Sequence, residues 1–368
     1  MHIRQAVAPL RVSGVILPSG QTGVIRVLDG RVTFDDGPAD LTVYGWVVPG
    51  LVDAHCHVGL GAAGPVDASV QEAQAIADRD SGALLLRDCG SAADTRWMDA
   101  RADLPAVVRA GRHIARPKRY IRNYALEVEP HDLPGAMREQ ASAGDGWVKL
   151  VGDWIDRDQG DLAPSWTRTA LRAGIAGAHE LGARVTAHVF GDEALLDLID
   201  AGIDCIEHGT GLSGDTIALM ARNDTALVPT ARQLDKFPDY AEAAAEKFPR
   251  YAARMRQLHA SRRRVIGQAH DAGVRIFAGT DAGGEVPHGG IADEVEELAR
   301  CGLSAYEALG AASWAAREWL GVTPTITEGS QADFVVYESD PLADLRALRH
   351  PLLVVLRGAA VSGGLLGQ

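Results

Sequence analysis

The feature that most constrains the fold is an alternation running through the middle of the chain: short apolar runs that read as strands, followed by longer stretches, several of them amphipathic. The runs lie at 51–57, 83–88, 106–114, 147–151, 184–189, 205–208, 226–229 and 274–280. Segments 166–181, 193–201, 216–223 and 252–271 carry helical periodicity between several of them. Eight such units over about 270 residues predict an α/β fold, a closed parallel (β/α)8 TIM barrel rather than an open doubly wound sheet. The long connectors, 59–70, 111–144 and 230–251, are where such a barrel would handle substrate.

The two ends read differently. Val24 to Phe34 alternates around Asp29-Gly30, a hairpin signal, and two β-like runs near the C-terminus flank a proline-bearing loop. Neither end is large enough to fold easily alone. Together they predict one small β-sandwich, so the expected division is 1–48 with 325–368 as the sandwich and 49–324 as the barrel.

At 368 residues and 46% hydrophobic the chain can bury a large core. A net charge of −13 argues against nucleic acid or an anionic membrane as a partner, since both need a positive face. No stretch resembles a membrane span, and the N-terminal residues lack the apolar core of a secretion signal, so the expected compartment is the cytoplasm. Cys56, Cys89, Cys205 and Cys301 are dispersed without metal-finger or disulfide spacing and read as reduced.

In a barrel, chemistry belongs at the carboxyl ends of the strands. There the polar residues that apolar strands otherwise exclude are found. The first strand holds His55 and His57, two residues apart and therefore on one face; the fourth holds Lys149 amid apolar neighbours. The fifth ends in His188, the sixth in His208, and the eighth runs into Asp281. A lone His-Cys-His is easily accidental. His and Asp delivered to the same rim by further strands point to a metal site.

This pattern, with Pro49-Gly-Leu-Val-Asp-Ala-His-Cys-His57, Leu86-Arg-Asp-Cys-Gly90 and Gly279-Thr-Asp-Ala-Gly283, resembles the amidohydrolase superfamily of metal-dependent hydrolases over nearly the whole chain. It is most similar to the imidazolonepropionase-like branch, which also holds prolidase-like dipeptidases with a carboxylated lysine. Burial disfavours an ammonium group, and a neutral lysine amine can react with carbon dioxide to give an anionic carbamate. The resemblance implies two divalent metal ions, zinc foremost, bridged by a carbamate on Lys149. His55, His57 and Asp281 would complete one site, and His188 with His208 the other. The alternative for Lys149 is a head group that reaches the barrel mouth and pairs with Asp153 or Asp88.

The expected activity is hydrolysis of an amide-type C–N bond in a small peptide-like, N-acyl amino acid or cyclic amide substrate. The metals would activate water, and Asp281 would take its proton and pass it to the leaving nitrogen. A deaminase or lactonase on the same scaffold is the nearest alternative; a catalytically silent barrel serving as a binding module is the alternative of another class. Homo-oligomers are compatible with either, and nothing in the sequence decides between them. The basic segment 112–122 offers His113 and Tyr120 as substrate contacts, and His288 is a further rim residue. Gly59-Leu-Gly-Ala-Ala-Gly64 matches a dinucleotide fingerprint, but the preceding strand carries two histidines that a pyrophosphate site does not need. Trp314 and Trp319 read as helix packing.

Overall fold

The computed structural model describes residues 10–366. The two ends of the chain meet. Leu10–Ile16 pairs parallel with Leu41–Pro49 and antiparallel with Gln21–Leu28, and Leu41–Pro49 pairs on its other side with Phe334–Tyr337. Asp29 and Gly30, at φ 49° and 79°, form the tight turn that leads into Arg31–Thr33. Where a two-layer sandwich was expected, the hydrogen bonds define one seven-stranded sheet, because Leu41–Pro49 is shared by strands from both ends. Its apolar face buries Val12, Ile25, Val43, Phe334 and Val355 in a cluster of their own.

Leu41–Pro49 leads directly into Leu51–Gly61, the histidine-bearing strand, which pairs parallel with Ala83–Asp88, and that strand with Ala106–Arg109. A second sheet runs Ile114–Ala115, Trp147–Val151, Arg184–Val189, Cys205–His208 and Ala226–Val228, all parallel. The single run expected over 106–114 is thus split between the two sheets around Gly111, whose φ is 68°. Helices Ala68–Asp80, Arg168–Glu180, Gly214–Asn223, Pro249–Asp271 and Ile291–Arg300 alternate with these strands.

The strand expected over 274–280 is extended but not a regular ladder. Its bonds go to several neighbours in turn: Phe277 N to Leu227 O at 3.0 Å, Ala278 N to Ala311 O at 2.9 Å, and Asp281 N to His55 O at 2.7 Å. Ala54 N in turn donates to Ala278 O at 2.8 Å, so this segment links the two parallel sheets. The long connectors are also more ordered than their sequence predicts. They hold helices Leu133–Ala143 and Phe237–Ala244, and after Trp147–Val151 a hairpin of Asp153–Asp156 with Asp161–Pro164. Among the described residues no helix is long and apolar enough to cross a membrane.

Side chains alternate along Leu51–Gly61 as the pleat requires. Cys56 and Val58 join the main apolar cluster, while His55 and His57 take the other face. Gly279 permits the close approach of the segment leading to Asp281: a Cβ there would lie 2.6 Å from His55 Cβ and 2.5 Å from Val228 Cγ1. Gly279→Ala is therefore expected to lose about 1–3 kcal/mol of stability by overpacking. Urea denaturation reads this, and a variant as stable as the parent would refute the packing argument.

Candidate metal centre

Three residues at the rim hold left-handed backbone that ordinary residues rarely adopt: His208 at φ 66°, Thr230 at 47° and Asp281 at 57°. The consequence is clearest at His208. In a regular strand Glu207 and His208 would face opposite ways, yet here both reach His55. Glu207 Oε2 lies 2.7 Å from His55 Nδ1, and the His208 ring stands 5.3 Å from that of His55.

Five polar groups converge. His55 Nε2 is 3.1 Å from Asp281 Oδ1, 3.3 Å from His57 Nε2 and 3.3 Å from Lys149 Nζ. His57 Nε2 is itself 3.3 Å from Asp281 Oδ1. His55, His208 and Asp281 each offer a ligand atom, all within 4.8 Å of one another. The other ring nitrogens are engaged away from this point. His57 Nδ1 donates to Gly90 O at 2.9 Å, which leaves its Nε2 with a lone pair facing inward, and His208 Nδ1 meets Thr230 Oγ1 at 2.7 Å.

The electrostatics favour a cation in their midst. Burial lowers His57, and it brings His208 down to about 3 despite Asp281, so both stay neutral and free to coordinate. Burial opposes ionisation of Asp281, but His55, His57 and His208 outweigh it and keep the carboxylate well below its usual range. At His55 burial is overcome by Cys89, Glu207 and Asp281, which raise it well above the ordinary value. Positive charge between His55 and Asp281 is thus stabilised, whether a proton or a metal carries it. Nitrogen and oxygen donors in this number suit a divalent metal ion.

The remaining expected residues fall in different places. Lys149 is buried, and among the described residues no carboxylate lies within ion-pair distance of it. Asp153 instead accepts from Phe190 N and Gly191 N, and Asp88 from Gly90 N. His188 is buried with its ring 4.7 Å from that of His208; its Nε2, 3.9 Å from Asp153 Oδ1, has no hydrogen-bond partner. His113 donates from Nδ1 to the same Gly90 carbonyl as His57, leaving its buried Nε2 unpartnered. Tyr120 packs against His113 at 5.0 Å and lines a cavity of about 530 Å³ that opens onto His57, His188 and Asp281. His288 is not in that lining. It is held 2.7 Å from Asp78 of helix Ala68–Asp80, so the expectation of a rim contact is corrected by a buried ion pair that turns it toward the helix.

Sequence reasoning gave no role to Glu207, Arg87 or Thr186. Glu207 Oε1 accepts from Arg87 Nη2 at 2.7 Å and from the Thr186 hydroxyl, while Oε2 serves His55. Arg87 also donates to Ala54 O at 2.6 Å and lies over the ring of Trp147 at 4.6 Å. The available signal was a carboxylate and a guanidinium inside runs that are otherwise apolar, since such charges are buried only when paired.

The fold and this donor cluster define an α/β protein of the metal-dependent hydrolase type. The chain belongs to the amidohydrolase family, which residues 46–361 match. An uncharacterized protein of Mycobacterium tuberculosis (strain ATCC 25618 / H37Rv) is 54% identical over 358 residues, 96% of each chain. Ochratoxinase of Aspergillus niger is 26% identical over 226 residues, 60% of this chain and 46% of its own. Of solved structures, a putative prolidase from Bifidobacterium longum matches with a TM-score of 0.81 at 25% identity, covering 97% of this chain and 95% of its own. A Xaa-Pro dipeptidase with bound methionine in the active site matches at 0.80 and 21%, covering 96% and 99%.

Two outcomes are expected of the site. Glu207→Ala strands the buried Arg87 guanidinium and should cost about 3–5 kcal/mol in unfolding free energy, measured by denaturant titration; a loss under 1 kcal/mol would contradict the pairing. In metal-free protein His208 should remain neutral at pH 5, where an ordinary histidine is almost fully protonated, because burial penalises its charged form. Imidazole NMR shifts followed from pH 7 to pH 4 report this, and a midpoint near 6.5 would refute it.

Proposed function

We propose that the protein is a dinuclear metal-dependent amidohydrolase that cleaves a C–N bond in a small amide. The observation that carries this reading is the convergence of His55, His57, His208 and Asp281 with a buried lysine that has no carboxylate partner among the described residues. In this reading the parallel strands of 49–324 close into an eight-stranded barrel, supported by hydrogen bonds from the 274–281 segment to both sheets. Among the described residues, the strands of 10–48 and 325–362 form the flanking domain.

His55, His57 and Asp281 would hold one ion and His188 with His208 the second, with Lys149 as its carbamate a further ligand. Zinc fits this mixture of imidazole and oxygen donors. Such ions, when bound, polarise a carbonyl and make a water nucleophilic near neutral pH. The chain supplies the rest. Glu207 and Gly90 O fix which nitrogens of His55 and His57 point inward. Asp281, within reach of both histidines, is the group placed to accept the proton of the attacking water and to return it to the departing nitrogen. The adjoining cavity, lined by His57, His188 and Asp281, would receive the substrate.

Lysine carboxylation belongs to the same reading. The amine of Lys149 can become an anionic ligand by taking up carbon dioxide. Purified protein is expected to hold about two divalent ions per chain, and Lys149→Ala to lose metal together with nearly all turnover. Elemental analysis alongside amide hydrolysis tests it; full metal content and undiminished rate in Lys149→Ala would reject the bridging role.

A further inference from the structure

The cavity beside the metal centre has a composition that narrows what it can hold. Its inner wall is aromatic: Trp154 packs 4.7 Å from Tyr120 and 5.5 Å from His188, and Phe190 lies 4.2 Å from His188. Farther out it is bounded by Tyr240, Phe248 and Tyr251. At about 530 Å³ it is of a size for a small organic molecule rather than a folded peptide segment. No arginine is in this lining, and Lys247, its single lysine, is exposed. The ionic groups that do line it beside the metal are anionic, Asp281 within and Glu285 farther out.

A substrate carboxylate placed next to the reacting bond would therefore sit near Asp281, with the exposed Lys247 the one lysine or arginine side chain of the lining. Proteins that select such carboxylates use a guanidinium fork or an ammonium group at hydrogen-bond distance. Of the guanidinium groups on the 112–122 segment, Arg119 is paired with Asp156 through Nη2 while its buried Nη1 has no partner, and Arg112 donates through Nε to Tyr124 O at 3.2 Å. Aromatic walls, by contrast, gain from a flat apolar group by burial and edge-to-face contact.

We propose that this cavity takes an uncharged amide bearing an aromatic group, with no carboxylate adjacent to the bond that is cut. The proposal rests on the hydrolase reading above and narrows it away from free dipeptides and N-acyl amino acids. In the reaction the oxygen of water bonds to the acyl carbon, and the C–N bond breaks with its electron pair leaving on nitrogen. One proton of the water goes to that nitrogen, giving a free amine and a carboxylic acid that ionises. No other reactant is needed.

The test is a matched pair differing only in the carboxylate, N-acetylphenethylamine and N-acetylphenylalanine, with the dipeptide Phe-Pro as a third substrate. Metal-loaded protein is used throughout. The neutral amide is expected to show at least ten-fold higher kcat/KM than either acid. Trp154→Ala should reduce this by about ten-fold, mainly through KM, while Trp154→Phe, which keeps an aromatic wall, should recover most of it. Equal or better turnover of N-acetylphenylalanine or Phe-Pro would overturn the proposal and leave the hydrolase reading intact. Calorimetric titration with N-acetylphenethylamine separates the two ideas. Millimolar or tighter binding without turnover of any substrate upholds the cavity assignment while removing the hydrolase reading, and absence of binding overturns the assignment.

Discussion

The buried carboxylate of Glu207 is the interaction on which the centre depends. It is fully enclosed and shared among Arg87, Thr186 and His55, so it joins three neighbouring parts of the parallel sheets to the first metal-facing imidazole. Arg87 in turn lies within 5 Å of the rings of Trp147 and Trp319, at 4.6 and 4.9 Å. A charge pair of this kind contributes little net stability compared with apolar residues of the same volume, because both ions have lost their hydration. Its value here is geometric. It holds His55 with Nδ1 toward the protein and Nε2 toward Asp281.

Around that anchor the rim is made of backbone that costs energy to hold. His208, Thr230 and Asp281 are all left-handed, each a conformation worth of order 1–3 kcal/mol of strain for such residues. What the strain accomplishes is a change of facing at the last residue of a strand. Two consecutive side chains, Glu207 and His208, then serve one centre, one as support and one as a donor. The aromatic cavity continues the same logic outward: Tyr120 and Trp154, presented by the segments after Ile114–Ala115 and Trp147–Val151, pack against His113 and His188.

Much of this was legible in the residues, for identifiable reasons. The polar residues His55, His57, Lys149 and His188 stand out because apolar strands leave them no reason to be there except a shared interior site. Asp281 lies beside His55 and His57 although its segment forms no regular strand, since the sequence records where polar residues interrupt apolar runs better than how the backbone is bonded. Other features left no trace. The left-handed turns fall on His, Thr and Asp, not on glycine, so no residue type marks them. His288 looked like a rim residue by its distance from Asp281 along the chain, but its partner Asp78 lies on a helix that the sequence reading had not delimited. The split of 106–114 and the hairpin after Trp147–Val151 depend on contacts between segments far apart in sequence.

The seven-stranded sheet has a further consequence, for biosynthesis. Leu41–Pro49 leaves the ribosome long before one of its two flanking strands, Phe334–Tyr337, is translated. Until then one edge of that strand stands open, and contacts between residues so remote in sequence form slowly. A nascent or truncated chain therefore presents an adhesive border immediately before the histidine strand, and chaperone shielding of that border would govern the yield of properly assembled protein.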